Sequence, residues 1–140
     1  MSLITNAGIG ETRVKKDMQN IYHLDLEKTS YEDFKNGTIN EDVILFRSEI
    51  VKLPDYPLKE VNGDFICRYS EQLASVENFP EHITGTLDIS FTNIRSLQPL
   101  PKPDNHPTKM KVDGDFVCTG RGLTENAVRS FCDVGGTIYC

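Results

Sequence analysis

The stretch Asn62-Gly63-Asp64-Phe65-Ile66-Cys67 recurs as Asp113-Gly114-Asp115-Phe116-Val117-Cys118. A looser copy, Thr84-Gly85-Thr86-Leu87-Asp88-Ile89, lies between them, and a worn one, Gly135-Gly136-Thr137-Ile138-Tyr139-Cys140, follows. Aligned, the copies give an apolar column, Val43, Phe65, Leu87, Phe116 and Ile138, with steps of 22, 22, 29 and 22 residues. Two residues later, Leu45, Cys67, Ile89, Cys118 and Cys140 keep those steps, as do Ile39, Val61, Ile83, Val112 and Val134 four residues before. Three apolar columns in one register mark stacked structural repeats, none of which can bury its apolar face alone.

Alternation within each copy fits a short strand whose first and third residues point inward while the residue between them points out. One such strand per repeat, all running the same way, predicts a parallel sheet of about five strands, and a 22-residue period leaves room for an irregular return but no long helix. Second apolar pairs, Ile50 with Leu53, Leu73 with Val76 and Ile94 with Leu97, suit turns packing beneath the sheet. Prolines at 54, 57, 80, 99, 101, 103 and 107 then stop helix growth. The seven extra residues of the third interval fall around Pro101 to Pro107 and read as an extruded loop.

The glycine ahead of each copy, Gly63, Gly85, Gly114 and Gly136, implies either a turn with positive φ or close approach between coils. Asp-Gly-Asp lacks the further alternating carboxylates and downstream Glu of a calcium loop, and no metal site is expected from it. At the C-terminal end, Leu123, Ala127, Val128 and Phe131 behind a Thr124 N-cap predict a helix that closes the core, followed by a last strand at Thr137 to Cys140.

Residues 1–37 lack the period and read as a flexible segment and N-terminal cap, leaving 38–140 as the solenoid of a single domain. Met18, Ile21, Tyr22, Leu24 and Leu26, then Tyr31, Phe34 and Gly37, supply the apolar positions such a cap needs. Residues 1 to about 12 are expected to be flexible.

The chain has 140 residues, and 15 Lys and Arg against 21 Asp and Glu leave a net charge of −6. That balance argues against nucleic acid and anionic membrane as partners. The longest apolar run, Val43 to Phe46, is far too short to span a bilayer, and the N-terminus lacks the apolar block of a signal peptide, so a cytoplasmic location is expected. Cys67, Cys118, Cys132 and Cys140 show no CxxC spacing and are expected to be free thiols in a reducing compartment. Cys118 and Cys140 fall on neighbouring rungs, about 5 Å apart by strand spacing, where a bridge is sterically possible.

The units Gly-Asp-Phe-Ile-Cys (63–67), Gly-Asp-Phe-Val-Cys (114–118) and Gly85 to Leu97 resemble the leucine-rich-repeat-like units of small hypothetical proteins encoded by tailed bacteriophages. The resemblance covers about residues 38 to 140 and is closest at Ser90 to Leu97, which contains Asn93, the asparagine that hydrogen-bonds backbone at the bend in such repeats. Two copies depart from the pattern, since Arg68 to Leu73 carries an additional residue and Arg121-Gly122-Leu123 lacks the asparagine. It implies an α/β, leucine-rich-repeat-like solenoid with irregular returns and a C-terminal capping helix, located in the host cytoplasm, and implies no activity.

No phosphate loop, HExxH, GxSxG or EF-hand pattern occurs, no cofactor is expected, and His23, His82 and His106 are dispersed. His82 reads as a solvated link residue, and a catalytic pair of Cys118 with His106 is disfavoured because Cys118 sits in an inward column. The informative surface is the outward column Ile44, Ile66, Asp88, Val117 and Tyr139, flanked by Phe46, Arg68, Ser90 and Thr119. Four of those five central residues are apolar or aromatic, where a solvated face should be polar, so either the N-terminal segment or a docked partner protein or second copy is expected to cover them. Ile44, Phe46, Ile66, Arg68, Asp88, Val117 and Tyr139 are thus the candidate partner-binding residues of a non-enzymatic interaction module, monomeric or weakly homo-oligomeric. The alternatives are a self-associating structural component and a hydrolase or transferase with an unrecognised Cys/His/Asp site.

Overall fold

The computed structural model describes residues 7–56, 58–97 and 109–140, and in it the repeat winds into a β-solenoid. Strands β2 (Val43–Ile44), β4 (Phe65–Ile66), β6 (Leu87–Asp88), β8 (Phe116–Val117) and β10 (Ile138–Tyr139) form a five-stranded parallel sheet. Its register aligns Val43, Phe65, Leu87, Phe116 and Ile138 in one row, the column read from the sequence. We refer to this as the β2 sheet.

A second five-stranded parallel sheet, the β1 sheet, accompanies it. It contains β1 (Thr38–Ile39), β3 (Glu60–Val61), β5 (His82–Ile83), β7 (Met110–Val112) and β9 (Cys132–Val134), with Ile39, Val61, Ile83, Val112 and Val134 in register. Each coil therefore carries two strands where the sequence reading placed one. Between the columns four of the five coils have glycine, packed against the backbone of the preceding coil, and the chain bends there.

Of the two explanations for those glycines, close approach holds: none of the four has positive φ. A Cβ on Gly85, Gly114 or Gly136 would lie 2.7 Å from the carbonyl oxygen of the glycine one coil earlier. The same stack is hydrogen-bonded, Gly85 N–H donating to Gly63 O at 3.0 Å, Gly114 to Gly85 at 2.9 Å and Gly136 to Gly114 at 2.8 Å. The neighbouring aspartates bond coil to coil: Asp42, Asp64 and Asp115 accept the backbone N–H of Asp64, Thr86 and Thr137, each at 2.8 Å. Among the described residues, no group of three or more His, Cys, Asp or Glu side chains is placed to hold a metal ion.

The core runs up the inside of both sheets. Leu53, Leu73, Val76 and Ile94 of the returns are buried in it, with Ile50 and Leu97 packed at its margin. The expected loop at Pro101 to Pro107 lies outside the described residues. Helix α3 (Glu125–Phe131) is N-capped by Thr124, whose Oγ1 accepts the Ala127 N–H at 3.1 Å, and it buries Val128 and Phe131 beside the last coil.

At the other end, Met18 of α1 (Ala7–Asn20), Tyr22 and Leu24 of the segment after it, and Phe34 of α2 (Tyr31–Lys35) join the core. Helix α1 begins at Ala7, inside the segment expected to be flexible. Ser30 caps α2 by accepting the Asp33 N–H at 3.0 Å. Tyr22, Phe34 and Tyr56 make ring contacts at 5.5 and 5.1 Å, and the Tyr56 hydroxyl donates to Asp17, tying α1 to the first return. Leu26, expected among the apolar positions, is exposed. No helix among the described residues is long and apolar enough to cross a membrane.

Candidate functional site

The outer face of the β2 sheet follows from period-two alternation: with Val43, Phe65, Leu87 and Phe116 fully buried, the residue after each must face out. Ile44, Phe46 and Tyr139 are 52%, 51% and 52% exposed, and Ile66 and Val117 are half-buried. The N-terminal helices, one of the two expected coverings, leave them open. The N-terminal contribution to the fold is instead made in the core, through Met18, Tyr22, Leu24 and Phe34.

Asp88 departs from the expected set. It is only 7% exposed, with Oδ1 accepting the Ser90 N–H at 2.8 Å and Oδ2 paired with Arg68 Nη1 at 3.4 Å. A carboxylate in an apolar row loses hydration unless it is paired and hydrogen-bonded, which is why Arg68 folds over it. Asp88 therefore lies on the outer face beneath Arg68, covered by the guanidinium that it anchors.

Beyond the strands the chain turns a corner through a residue in the left-handed region: Arg47 (φ 57°), Tyr69 (63°), Phe91 (57°) and Gly120 (103°) occupy the same place in successive coils. Three of the four carry side chains where glycine is the unstrained choice. Those side chains build a stack. Tyr69 lies parallel to Phe91 with centroids 4.9 Å apart and meets Phe46 edge-on at 5.7 Å. The Arg47 guanidinium sits over Phe46 and Tyr69 at 5.1 and 5.6 Å, and that of Arg68 over Tyr69 and Phe91 at 5.3 and 5.6 Å. Gly120 ends the row because the Phe91 ring fills the space a side chain would need. Aromatic stacking and cation–π contact offset the backbone strain.

Buried hydroxyls brace this corner from inside. Ser70 Oγ donates to Leu45 O and accepts the Ser48 N–H at 3.1 Å. Thr92 Oγ1 donates to Ile89 O at 2.8 Å and accepts the Ile94 N–H at 3.2 Å. Asn93, given the bend role by the resemblance, instead accepts from Arg95 Nε at 3.0 Å through its side chain. Sequence reading missed Arg47, Tyr69 and Phe91. Their signal was the same 22, 22 and 29 spacing, with Gly120 as its fourth member.

The outer row of the β1 sheet is Thr38, Glu60, His82, Lys111 and Asp133. His82, expected to be solvated, is half-buried and bridges coils, with Nδ1 3.1 Å from Glu60 Oε2 and Nε2 2.9 Å from Asp113 Oδ2. Lys109 pairs with Asp133 at 3.6 Å. On this face polar and charged side chains contact one another across coils.

Of the cysteines, Cys67, Cys118 and Cys132 are buried and Cys140 is exposed. Burial pushes the Cys67 thiol well up, and pushes Cys118 and Cys132 each up to about 12. Cys118 is also raised by its contact with Cys140, the two sulfurs being 3.1 Å apart. His106, the other half of the disfavoured catalytic pair, lies outside the described residues. Compared with protein-family models, with curated proteins and with solved structures, the chain matches none.

Proposed function

We propose that the chain is a non-enzymatic protein-interaction module that docks its partner on the outer face of the β2 sheet and along the adjoining corner. The observation that carries this reading is the open apolar row Ile44, Phe46, Ile66, Val117 and Tyr139, bordered by the Arg47, Arg68, Tyr69 and Phe91 stack. Aromatic residues and arginine held rigid before contact are the types that supply binding hot spots, since little side-chain freedom is left to lose. Within these columns Arg47 and Arg68 face solvent, with Asp88 covered by Arg68, on a chain whose net charge is −6. The fitting partner is a protein segment that presents apolar side chains together with carboxylates.

Two further observations support the non-enzymatic reading and its compartment. The three buried thiols are held protonated, which makes them poor nucleophiles. The resemblance of the Gly-Asp-Phe units to phage-encoded proteins favours an accessory role in a host cytoplasm, against a host or phage protein.

Affinity capture from that cytoplasm with Ile44→Glu and Arg47→Glu variants, beside Lys111→Glu on the β1 sheet as a control, tests the reading. Both β2-sheet variants should keep the wild-type circular dichroism and lose the captured protein, while the control retains it. Equal recovery by all three sinks the proposal. Loss of a self-association seen by light scattering, with no second protein involved, would assign the face to assembly instead.

A further inference from the structure

We propose that Cys118 and Cys140 form a thiol–disulfide pair that fastens the last strand to its neighbour, oxidised by exchange with a small-molecule disulfide of the glutathione class. The repeat places both residues in one column, 22 positions apart on adjoining coils, and the Cys118 N–H donating to Tyr139 O at 2.7 Å locks that register. Neighbouring parallel strands hold paired Cα atoms about 4.8 Å apart, inside the span a disulfide bridges. The sulfurs already stand 3.1 Å apart, so rotation about the side-chain bonds covers most of the remaining approach to a bond of about 2.05 Å.

The two thiols differ in a way that orders the chemistry. Cys140 is exposed and Cys118 is buried beneath it, with burial pushing the latter up to about 12. Cys140, as thiolate, attacks one sulfur of the disulfide RSSR, forming Cys140–S–S–R and expelling RS⁻, which takes up a proton as RSH. Cys118 then loses its proton and attacks the Cys140 sulfur, breaking the mixed disulfide and expelling the second RS⁻, protonated in turn. The protein gives up two electrons and two protons, and RSSR becomes two RSH. Cys67 and Cys132 cannot compete: Cys67 stacks between Leu45 and Ile89, Cys132 is in register with Met110, and both are buried.

The consequence falls on β10, an edge strand of the β2 sheet among the described residues. Bridging it to β8 closes the segment through α3 into a loop and suppresses fraying at the open end of the solenoid. This inference stands independently of the docking reading.

The test incubates the full chain with reduced and oxidised glutathione at varied ratio, quenches with acid, and reads intact mass, peptide linkage and amide hydrogen exchange. The expected product has lost two hydrogens, links the Cys118 and Cys140 peptides, and exchanges its β10 amides about tenfold more slowly. Cys118→Ala should stop at the glutathione adduct on Cys140, and Cys140→Ser should remain unmodified. A persistent glutathione adduct on the wild-type chain, a Cys140-linked dimer, a different internal pairing, or no oxidation at glutathione-disulfide excess each overturns the proposal.

Discussion

The two sheets of the solenoid share a core and a period but treat water differently. Along the β1 sheet the outward row is polar and largely ionisable, and it contacts its flanks: Glu60 and Asp113 hold His82 from either side, and Lys109 meets Asp133. Along the β2 sheet the corresponding row is Ile44, Ile66, Asp88, Val117 and Tyr139, and its one carboxylate is covered by Arg68. Both rows obey the same alternation and the same inter-coil spacing. The difference is therefore not imposed by the fold, because a parallel coil tolerates either surface. A charged row costs nothing to leave in water, whereas an apolar one is stabilised when something covers it.

Breaking what the sheets share gives the largest effect. Phe116 is fully buried on β8 between Leu87 and Ile138, and Phe116→Ala should cost about 3–5 kcal/mol through lost contact and an unfilled cavity. Urea unfolding should show one cooperative transition at a lower midpoint. Two separated transitions would mean that the sheets do not stand on one core.

Alkaline titration tests the same unity from another side. Cys118 belongs to the β2-sheet column and Cys132 begins β9 of the β1 sheet, and burial raises both thiols from 9.0 to about 12. A thiol raised on folding binds more protons folded than unfolded between those values, so stability is intact below pH 9 and falls as pH rises toward 12. The unfolding midpoint followed across that range should drop, and a flat profile would contradict the burial.

Smaller effects separate the two sheets. Ser70→Ala deletes the buried hydroxyl that both donates to Leu45 O and accepts the Ser48 N–H, and should cost about 2 kcal/mol. His82→Ala removes the half-buried ring's contacts to Glu60 and Asp113 on the β1 sheet and should cost only about 0.5 kcal/mol. Reversed magnitudes in a denaturant titration would place the structural brace on the other face.

The inward columns were legible in the sequence because burial acts residue by residue: a fully enclosed position must be apolar in every coil, and the steps of 22, 22, 29 and 22 expose it. The return pairs and the Thr124-capped helix were legible for the same local reasons. The glycines were legible as special positions, while their use, backbone packed on backbone, needed the neighbouring coil. The candidate face was half-legible. Alternation identified Ile44, Ile66, Asp88, Val117 and Tyr139 as outward, but the covering of Asp88 by Arg68 depends on the adjoining coil. Arg47, Tyr69 and Phe91 escaped notice because no local preference asks for large side chains at left-handed bends.

What the sequence determined by itself was the period, the rungs and the buried spine, since these follow from the polarity of single residues repeated at a fixed interval. What the tertiary structure alone decided was the split into two sheets, the aromatic and arginine stack at the corner, the covering of Asp88 by Arg68 and the 3.1 Å approach of two thiols. Each joins groups of adjoining coils, and how such groups meet is fixed by the angle at which the chain turns, a quantity set by the packing of the whole coil.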